Sequence, residues 1–101
     1  MMGYGRSFNV FKGRSTPLYA RSFCFENTDG NHVFFVQAEI CMVFPEIKRE
    51  ILVRLQNKYP GALFRDDNIM LTSQHTHSGP AGFSHYPLYN FSVPGFRPHI
   101  F

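Results

Sequence analysis

Several features that would place this chain in a familiar class are missing from its sequence. Tryptophan is absent, and only two of the 101 residues are cysteine. Cys24 and Cys41 form no CxxC pair, and two cysteines cannot establish a disulfide framework. We expect both to be small, buried apolar residues, and the alternative for Cys41 is a role as a metal ligand.

Long runs of one kind of residue are missing as well. The 10 Lys and Arg against 7 Asp and Glu give a net charge of +3. These charges are scattered rather than gathered in one run, so we expect no nucleic-acid partner. No apolar run approaches the roughly 18 residues of a membrane span. Residues 1–6 lack the apolar stretch of a signal peptide, so none is predicted.

Aromatic residues, in contrast, are abundant. The chain has 12 Phe and 5 Tyr, and hydrophobic residues make up 44% of it, which predicts a folded domain. A domain of this size leaves much of its surface exposed. We therefore expect a partner, a lipid or a further part of the protein to cover some of these rings. Many of them lie in residues 83–101, which we predict to be the aromatic wall of a cleft, itself incomplete.

The first half of the chain predicts a β-hairpin. Residues 18–26 alternate in character, with Arg21, Phe23 and Phe25 on one side, which is typical of a strand. Residues 27–31 have the composition of a turn. Residues 32–41 are rich in β-branched and aromatic side chains and predict a second, antiparallel strand.

A helix and a third strand follow. Pro45 and Glu46 suit the first turn of a helix, which ends near Tyr59 before Pro60 and Gly61. Its predicted apolar face consists of Ile47, Ile51, Leu52, Leu55 and Tyr59. Residues 68–72 predict a strand, so the chain is of the α/β class, with a hairpin followed by a right-handed strand–helix–strand crossover. Parallel strands end at one edge of a sheet, so residues 39–43 and 72–78 should meet where ligands commonly bind.

Two histidines lie just beyond the third predicted strand. In an extended backbone, His75 and His77 point the same way, so both could serve one metal or acid/base site. The alternative is that both are hydrogen-bonded turn histidines. Zinc needs three or four ligands, and the other donors considered are Glu39, His32, His85 and His99.

The neighbouring polar residues have simpler interpretations. We expect Ser78 to form a turn rather than act as a nucleophile, and we expect the Thr76 hydroxyl to bond nearby backbone. Glu39 ends an apolar strand, so it needs a partner. The candidates are an ion pair with Arg21 or Lys12, or a contact with a histidine. His85 is expected at the surface.

The histidine segment carries a family resemblance. Residues 68–96, NIMLTSQHTHSGPAGFSHYPLYNFSVPGF, resemble the zinc-dependent neutral ceramidases around their HTHSGP motif. Met2-Gly3-Tyr4, residues 18–23 and residues 53–60 resemble earlier parts of the same family. The match covers nearly all of this chain but only the first part of the family's catalytic domain. The resemblance implies a fragment, residues 1–101, of a larger zinc-hydrolase α/β domain.

What the resemblance implies for function is specific. These enzymes hydrolyse the amide of ceramide to sphingosine and a fatty acid. By analogy His75 is a zinc ligand, His77 is a catalytic residue facing the substrate amide, and Gly3, Tyr4 and Phe83 contact the substrate. The other zinc ligands and the catalytic serine, in a D-x-S-P-N-like motif, come from later sequence that this chain lacks. The implied partners are the remainder of the catalytic domain and a membrane surface, in a secreted or cell-surface protein.

Three residues depart from the family pattern. Gln74 replaces the usual Thr, Glu39 the usual Asp, and Cys41 a common Gly. We expect the chain by itself to be inactive. The alternatives to an enzyme fragment are a truncated non-catalytic paralogue and a small metal- or lipid-binding module.

Overall fold

The structure is a computed structural model that describes residues 2–3, 12–91, 93 and 95–101. In chain order these residues form β1 (Ala20–Glu26), β2 (His32–Ala38), α1 (Pro45–Lys58), β3 (Ile69–Ser73) and a short 3-10 helix (Pro87–Asn90). The α/β class, the hairpin and the strand–helix–strand order are therefore confirmed. The 3-10 helix was not predicted, because four residues within an aperiodic aromatic segment give no helical pattern.

The three strands form one sheet in the order β1-β2-β3. β1 and β2 pair antiparallel, with Phe23 opposite Phe35, and β2 and β3 pair parallel, with Phe35 beside Met70. The hairpin turn is closed by Asn27, whose side-chain Oδ1 accepts the backbone N–H groups of Asp29 and Asn31. This use of an Asn side chain in place of backbone explains why the turn composition was a reliable signal.

β2 ends at Ala38 instead of continuing to Cys41 as predicted, and residues 39–41 form a bend. The apolar run of the sequence continues to Cys41, and the Glu39 N–H still donates to the Tyr19 carbonyl at 2.9 Å, but residues 40 and 41 are no longer part of the strand. The Cys41 carbonyl accepts hydrogen bonds from Ser73, the last residue of β3, and from His75 just beyond that strand. The bend places residues of both strand ends side by side, as the predicted crossover required.

α1 begins at Pro45 and its C-cap is Tyr59, whose N–H donates to the Leu55 carbonyl at 2.8 Å. The predicted apolar face is present, but none of its residues is fully buried in this chain. Ile47 packs against the buried core, whereas Tyr59 is 48% exposed. The apolar face of α1 is therefore only partly covered, although its sequence pattern is typical of a buried face.

The core lies beyond the carboxyl edge of the sheet rather than between the helix and the sheet. We call it the loop cluster, and its five buried members are Met2, Cys41, Phe44, Ala81 and Phe83. The Phe44 ring lies 5.8 Å from that of Phe83 and 5.1 Å from that of Tyr89. Packing thus concentrates around the loops that follow β2 and β3.

One side of the sheet carries several exposed apolar side chains. We call it the open face, and its register neighbours are Phe23, Phe25, Val33, Phe35 and Met70. On the other side, the Phe34 ring meets the Phe64 ring at 4.8 Å, but the β1 residues on this side are exposed. Cys24 lies there and is exposed, so the prediction that it is buried is wrong, whereas Cys41 is buried as predicted.

The accessible surface reflects this uneven coverage. It measures 7274 Å², whereas a compact monomer of 11.7 kDa exposes about 5,900 Å² by the usual mass scaling. Among the described residues, no helix has the length and apolar character needed to cross a bilayer.

Candidate active site

The histidine loop, residues 74–80, begins where the parallel ladder stops. The N–H of Gln74 still donates to the Ala38 carbonyl at 3.1 Å. His75 then has φ = 64°, and it is the one non-glycine residue with positive φ in the described part of the chain. Such a conformation is disfavoured for residues with a Cβ and persists only where surrounding contacts hold it. The backbone is therefore not extended at His75, which was the condition under which strand alternation would have aligned the two imidazoles.

A hydrogen bond from the imidazole ties His75 to the bend after β2. Its Nδ1 lies 3.0 Å from the Cys41 carbonyl oxygen. Because a carbonyl only accepts, Nδ1 carries the proton in this bond, and the lone pair of the neutral ring is then on Nε2. Ser73 Oγ donates to the same carbonyl at 3.1 Å. The Cys41 Sγ atom lies 3.9 Å from His75 Nδ1.

The two predicted site histidines come together, although by a turn and not by strand alternation. The ring centroids of His75 and His77 are 4.8 Å apart, with the rings nearly perpendicular at 88°. His77 is half-buried and His75 is exposed. Of the two residues, His75 is therefore the more accessible to solvent, and His77 is the more enclosed by the protein.

Gly3 lies against His77 and has φ = 87°. A Cβ built on Gly3 would overlap Nδ1 and Cε1 of the imidazole. Only glycine combines this backbone conformation with the absence of a side chain. Met2, next to it, is buried in the loop cluster, so the start of the described chain is anchored beneath the site. The predicted substrate contact of Gly3 stays a prediction, and Tyr4 lies outside the described residues.

Cys41, His75 and His77 are the group of potential ligands that the described residues bring together. One ligand atom from each can be chosen so that all lie within 4.8 Å of one another. Imidazole and thiolate are donors that transition-metal ions favour. Burial raises the pKa of the Cys41 thiol, which favours the neutral thiol over the thiolate that binds metals. The two imidazoles are therefore the stronger donors of the three.

Glu39 pairs with the hairpin and not with a histidine. Its carboxylate accepts a hydrogen bond from Arg21 Nη1 at 2.6 Å and one from the Tyr19 N–H at 3.1 Å. The Arg21 bond, followed by the Tyr19 bond, lowers the pKa of the Glu39 carboxyl. Of the partners considered from sequence, Arg21 is the one observed. This pair ties the start of β1 to the bend that carries Cys41.

The remaining polar predictions agree with the structure. The Ser78 N–H donates to Thr76 Oγ1 at 3.1 Å, so Thr76 and Ser78 stabilise the turn after the histidines. His85 is exposed, with its ring 4.5 Å from Phe96 and 4.8 Å from Phe101. It lies outside the ligand group, as does His32, whose Nε2 is 3.6 Å from Glu26.

Phe83 is 5% exposed and packs in the loop cluster, so its predicted substrate contact stays a prediction. Two contributors to the site were not identified from sequence, the Cys41 carbonyl and the Ser73 hydroxyl. No spacing signal could have found them, because Cys41 and Ser73 are 32 residues apart and one acts through its backbone.

The whole chain matches a known family. Residues 1–101 match the family model described as neutral/alkaline non-lysosomal ceramidase, N-terminal. The chain is 40% identical over 102 residues to a neutral ceramidase of Pseudomonas aeruginosa, and 40% identical over 100 residues to one of Drosophila melanogaster. It spans 15% and 14% of these relatives, and 100% and 99% of its own length aligns.

Solved structures agree in fold. The crystal structure of the Pseudomonas aeruginosa neutral ceramidase superposes with a TM-score of 0.86 at 41% identity, over 96% of this chain and 15% of that one. A structure described as a ceramidase complexed with C2 gives a TM-score of 0.84 with the same identity and coverage. Family model, relatives and structures coincide over nearly all of the sequence, and the chain therefore belongs to the neutral/alkaline, non-lysosomal ceramidase family.

Proposed function

We propose that this chain supplies part of the active site of a zinc-dependent ceramidase that hydrolyses the N-acyl amide bond of ceramide to sphingosine and a fatty acid. The observation that carries the proposal is the meeting of His75 and His77 at the carboxyl edge of the sheet, with ring centroids 4.8 Å apart. Such an edge is where α/β proteins commonly bind their ligands. The family to which the chain belongs supplies the substrate class.

His75 fits the role of a zinc ligand. Its Nδ1–H is held by the Cys41 carbonyl, which leaves Nε2 as the nitrogen with a free lone pair. Zinc-binding histidines commonly make such a bond with their second nitrogen. Zinc, when bound, polarises a carbonyl as a Lewis acid and lowers the pKa of a bound water.

His77 fits a place beside the substrate amide. Its ring stands edge-on to that of His75 and is backed by Gly3, so it can hold one orientation while it contacts a bound amide. Gly3, Tyr4 and Phe83 are the residues we propose to contact the substrate. For Gly3 the contact is through the backbone, since the residue has no side chain.

Residues 83–101 fit the wall of a lipid-binding cleft. Leu88 and Phe91 are 79% and 86% exposed, and they flank Tyr89, whose ring packs on Phe44 in the loop cluster. Apolar side chains displayed next to a buried anchor suit contact with acyl chains or with a membrane surface. We also propose that the protein is secreted or lies at the cell surface, where these apolar side chains would contact a membrane.

The decisive test uses a version of the protein that includes the rest of the catalytic domain. His75→Ala is expected to lose both zinc, measured by elemental analysis, and ceramide hydrolysis. His77→Ala is expected to keep zinc and lose hydrolysis. His32→Ala, at a histidine of β2 outside the ligand group, is the matched control. Stoichiometric zinc in His75→Ala would remove His75 from the ligand set.

The chain by itself is expected to be inactive. Catalytic zinc generally has three protein ligands, and in the described part of the chain the two imidazoles are accompanied by a buried thiol with a raised pKa. The 101 residues should therefore bind zinc weakly and show no hydrolysis of a fluorescent ceramide. Turnover by the isolated chain would contradict this and would favour a small self-sufficient module. Absence of the remaining catalytic residues from the continuing reading frame would favour a non-catalytic paralogue.

A further inference from the structure

We infer that Ser73 is a positioning residue of this active site, and that it acts through the Cys41 backbone carbonyl to hold His75 with Nδ1 protonated and Nε2 available. The inference rests on the proposed function, in which His75 is the metal ligand. It assigns a role to the Cys41 carbonyl that does not involve the Cys41 thiol. It also accounts for the positive φ of His75.

The geometry at the carbonyl is the first step. Two donors reach the Cys41 oxygen, Ser73 Oγ at 3.1 Å and His75 Nδ1 at 3.0 Å. A carbonyl oxygen has two lone pairs and can accept both bonds. Ser73 is the last residue of β3, so its hydroxyl fixes the direction of a carbonyl that belongs to the bend after β2. His75 then finds an acceptor already in place.

The backbone of His75 is the second step. Its left-handed conformation is unfavourable for a residue with a Cβ, and it must be held by local contacts. The Gln74 N–H bond to Ala38 holds the residue before it, and the imidazole bond to Cys41 holds its side chain. If the carbonyl loses its tether to β3, the ring can exchange its partner for water and populate the other tautomer.

The thiol is the competing explanation. Cys41 Sγ lies 3.9 Å from His75 Nδ1, which is close to the separation of about 3.6 Å that a sulfur and a nitrogen have in a tetrahedral zinc centre. A metal bound between these two atoms would displace the Nδ1 proton and break the bond to the carbonyl. The two arrangements exclude each other, so one experiment can separate them.

The test uses the 101-residue chain labelled with 15N-histidine and free of metal. A long-range 1H–15N spectrum should show His75 mainly with Nδ1 protonated in the parent chain. Ser73→Ala should shift His75 toward the tautomer with Nε2 protonated. In a version of the protein that includes the rest of the catalytic domain, it should weaken zinc binding about tenfold, as loss of an outer partner commonly does. Ser73→Thr keeps the hydroxyl and should restore both properties.

Thr72→Val is the matched control. Thr72 Oγ1 donates to the Val36 carbonyl across the same pair of strands at 3.2 Å, one residue before Ser73. Its loss should leave the His75 tautomer unchanged and zinc affinity within about twofold. Far-UV circular dichroism checks that each variant is folded. If Ser73→Ala does not fold, Ser73→Cys replaces it, because a thiol of similar size is a weak donor.

Two results would overturn the role of Ser73, and a third would separate it from the proposed role of His75 as a zinc ligand. An unchanged tautomer and unchanged zinc affinity in folded Ser73→Ala would overturn the role of Ser73. A sulfur-to-metal charge-transfer band in the cobalt-loaded chain, lost in Cys41→Ala but kept in Cys24→Ala, would show that the thiol holds the metal and would also overturn it. If the tautomer responds as expected but His75→Ala binds zinc like the parent, the positioning stands and the proposed function fails.

Discussion

The loop cluster and the open face are built from similar residues but have opposite environments. Phe44 and Phe83 in the loop cluster are each 5% exposed, whereas Phe23 and Phe25 on the open face are 51% and 60% exposed. The difference lies in what surrounds them, because both groups are patterned as core. The loop cluster is closed by segments of this chain, from Met2 to Phe83.

The comparison shows that buried side chains of this chain pack next to the site, whereas apolar side chains on one face of the sheet are exposed. The closed region lies next to His75 and His77, and the exposed region lies on one face of the sheet, from β1 to β3. The chain spans 15% of the length of the Pseudomonas relative. An exposed apolar surface of this kind is typical of a contact site, and the coverings expected from the sequence are a partner, a lipid or a further part of the protein. Three predictions test how different the two regions are.

The largest effect is expected from Phe44→Ala compared with Phe25→Ala. Removal of a buried Phe ring typically costs about 3–5 kcal/mol of the free energy of unfolding, and Phe44 contacts the rings of Phe83, Tyr86 and Tyr89. Phe25→Ala should cost less than about 1 kcal/mol, the range of strand propensity. Urea denaturation of both variants measures the difference. Equal losses would mean that the open face is covered in solution.

An intermediate effect is expected from Gly3→Ala compared with Gly30→Ala. Both glycines have positive φ, 87° and 77°, but a Cβ at Gly30 meets no atom within 4 Å. Both variants bear a left-handed penalty of about 1–2 kcal/mol, and only Gly3→Ala also collides with His77. We expect changed His77 chemical shifts and a larger loss of stability for Gly3→Ala alone. Matching behaviour of the two variants would exclude a supporting contact between Gly3 and His77.

The smallest effect is expected from Glu39→Gln, and it should depend on pH. The pKa of Glu39 is lowered in the folded chain, first by its bond from Arg21. Stability from this bond is therefore present above the unfolded-state pKa of about 4.3 and is lost as the pH falls through the lower folded-state pKa. The variant should therefore have a lower melting temperature than the parent near neutral pH, and the two melting temperatures should become equal in acid.

The matched control for that variant is Glu50→Gln on α1. Glu50 pairs with Arg54 at 2.7 Å within the helix and does not join the hairpin to the bend at Cys41. Only Glu39→Gln should therefore also change the chemical shifts of His75. Identical spectra for His75 in both variants would show that the bend is held without the Arg21 pair.

Much of the fold could be predicted because its signals are local. The alternation in residues 18–26, the turn around Asn27 and the Pro45 start of the helix each depend on a few neighbouring residues. The errors occurred where a distant contact overrides the pattern. β2 stops at Ala38 although its apolar run continues to Cys41, since the Cys41 carbonyl is taken by Ser73 and His75.

The candidate site divides in the same way. Its two histidines could be proposed because they lie two positions apart in sequence, and the family resemblance was seen in the same segment. The buried state of Cys41 was predicted correctly, but that of Cys24 was not, since burial depends on whether anything covers the strand. The carbonyl that orients His75 belongs to a residue 34 positions away, and no motif records a backbone group.

The sequence by itself determined the order of the elements, the chemical identity of the two imidazoles and membership of the family. These properties depend on residue type and on spacing along the chain. The tertiary structure decided which nitrogen of His75 is held, why residue 3 has no side chain and which aromatic residues are buried. Those properties depend on the crossover that joins β2 to β3, because only folding brings Cys41, Gly3 and the histidine loop into contact.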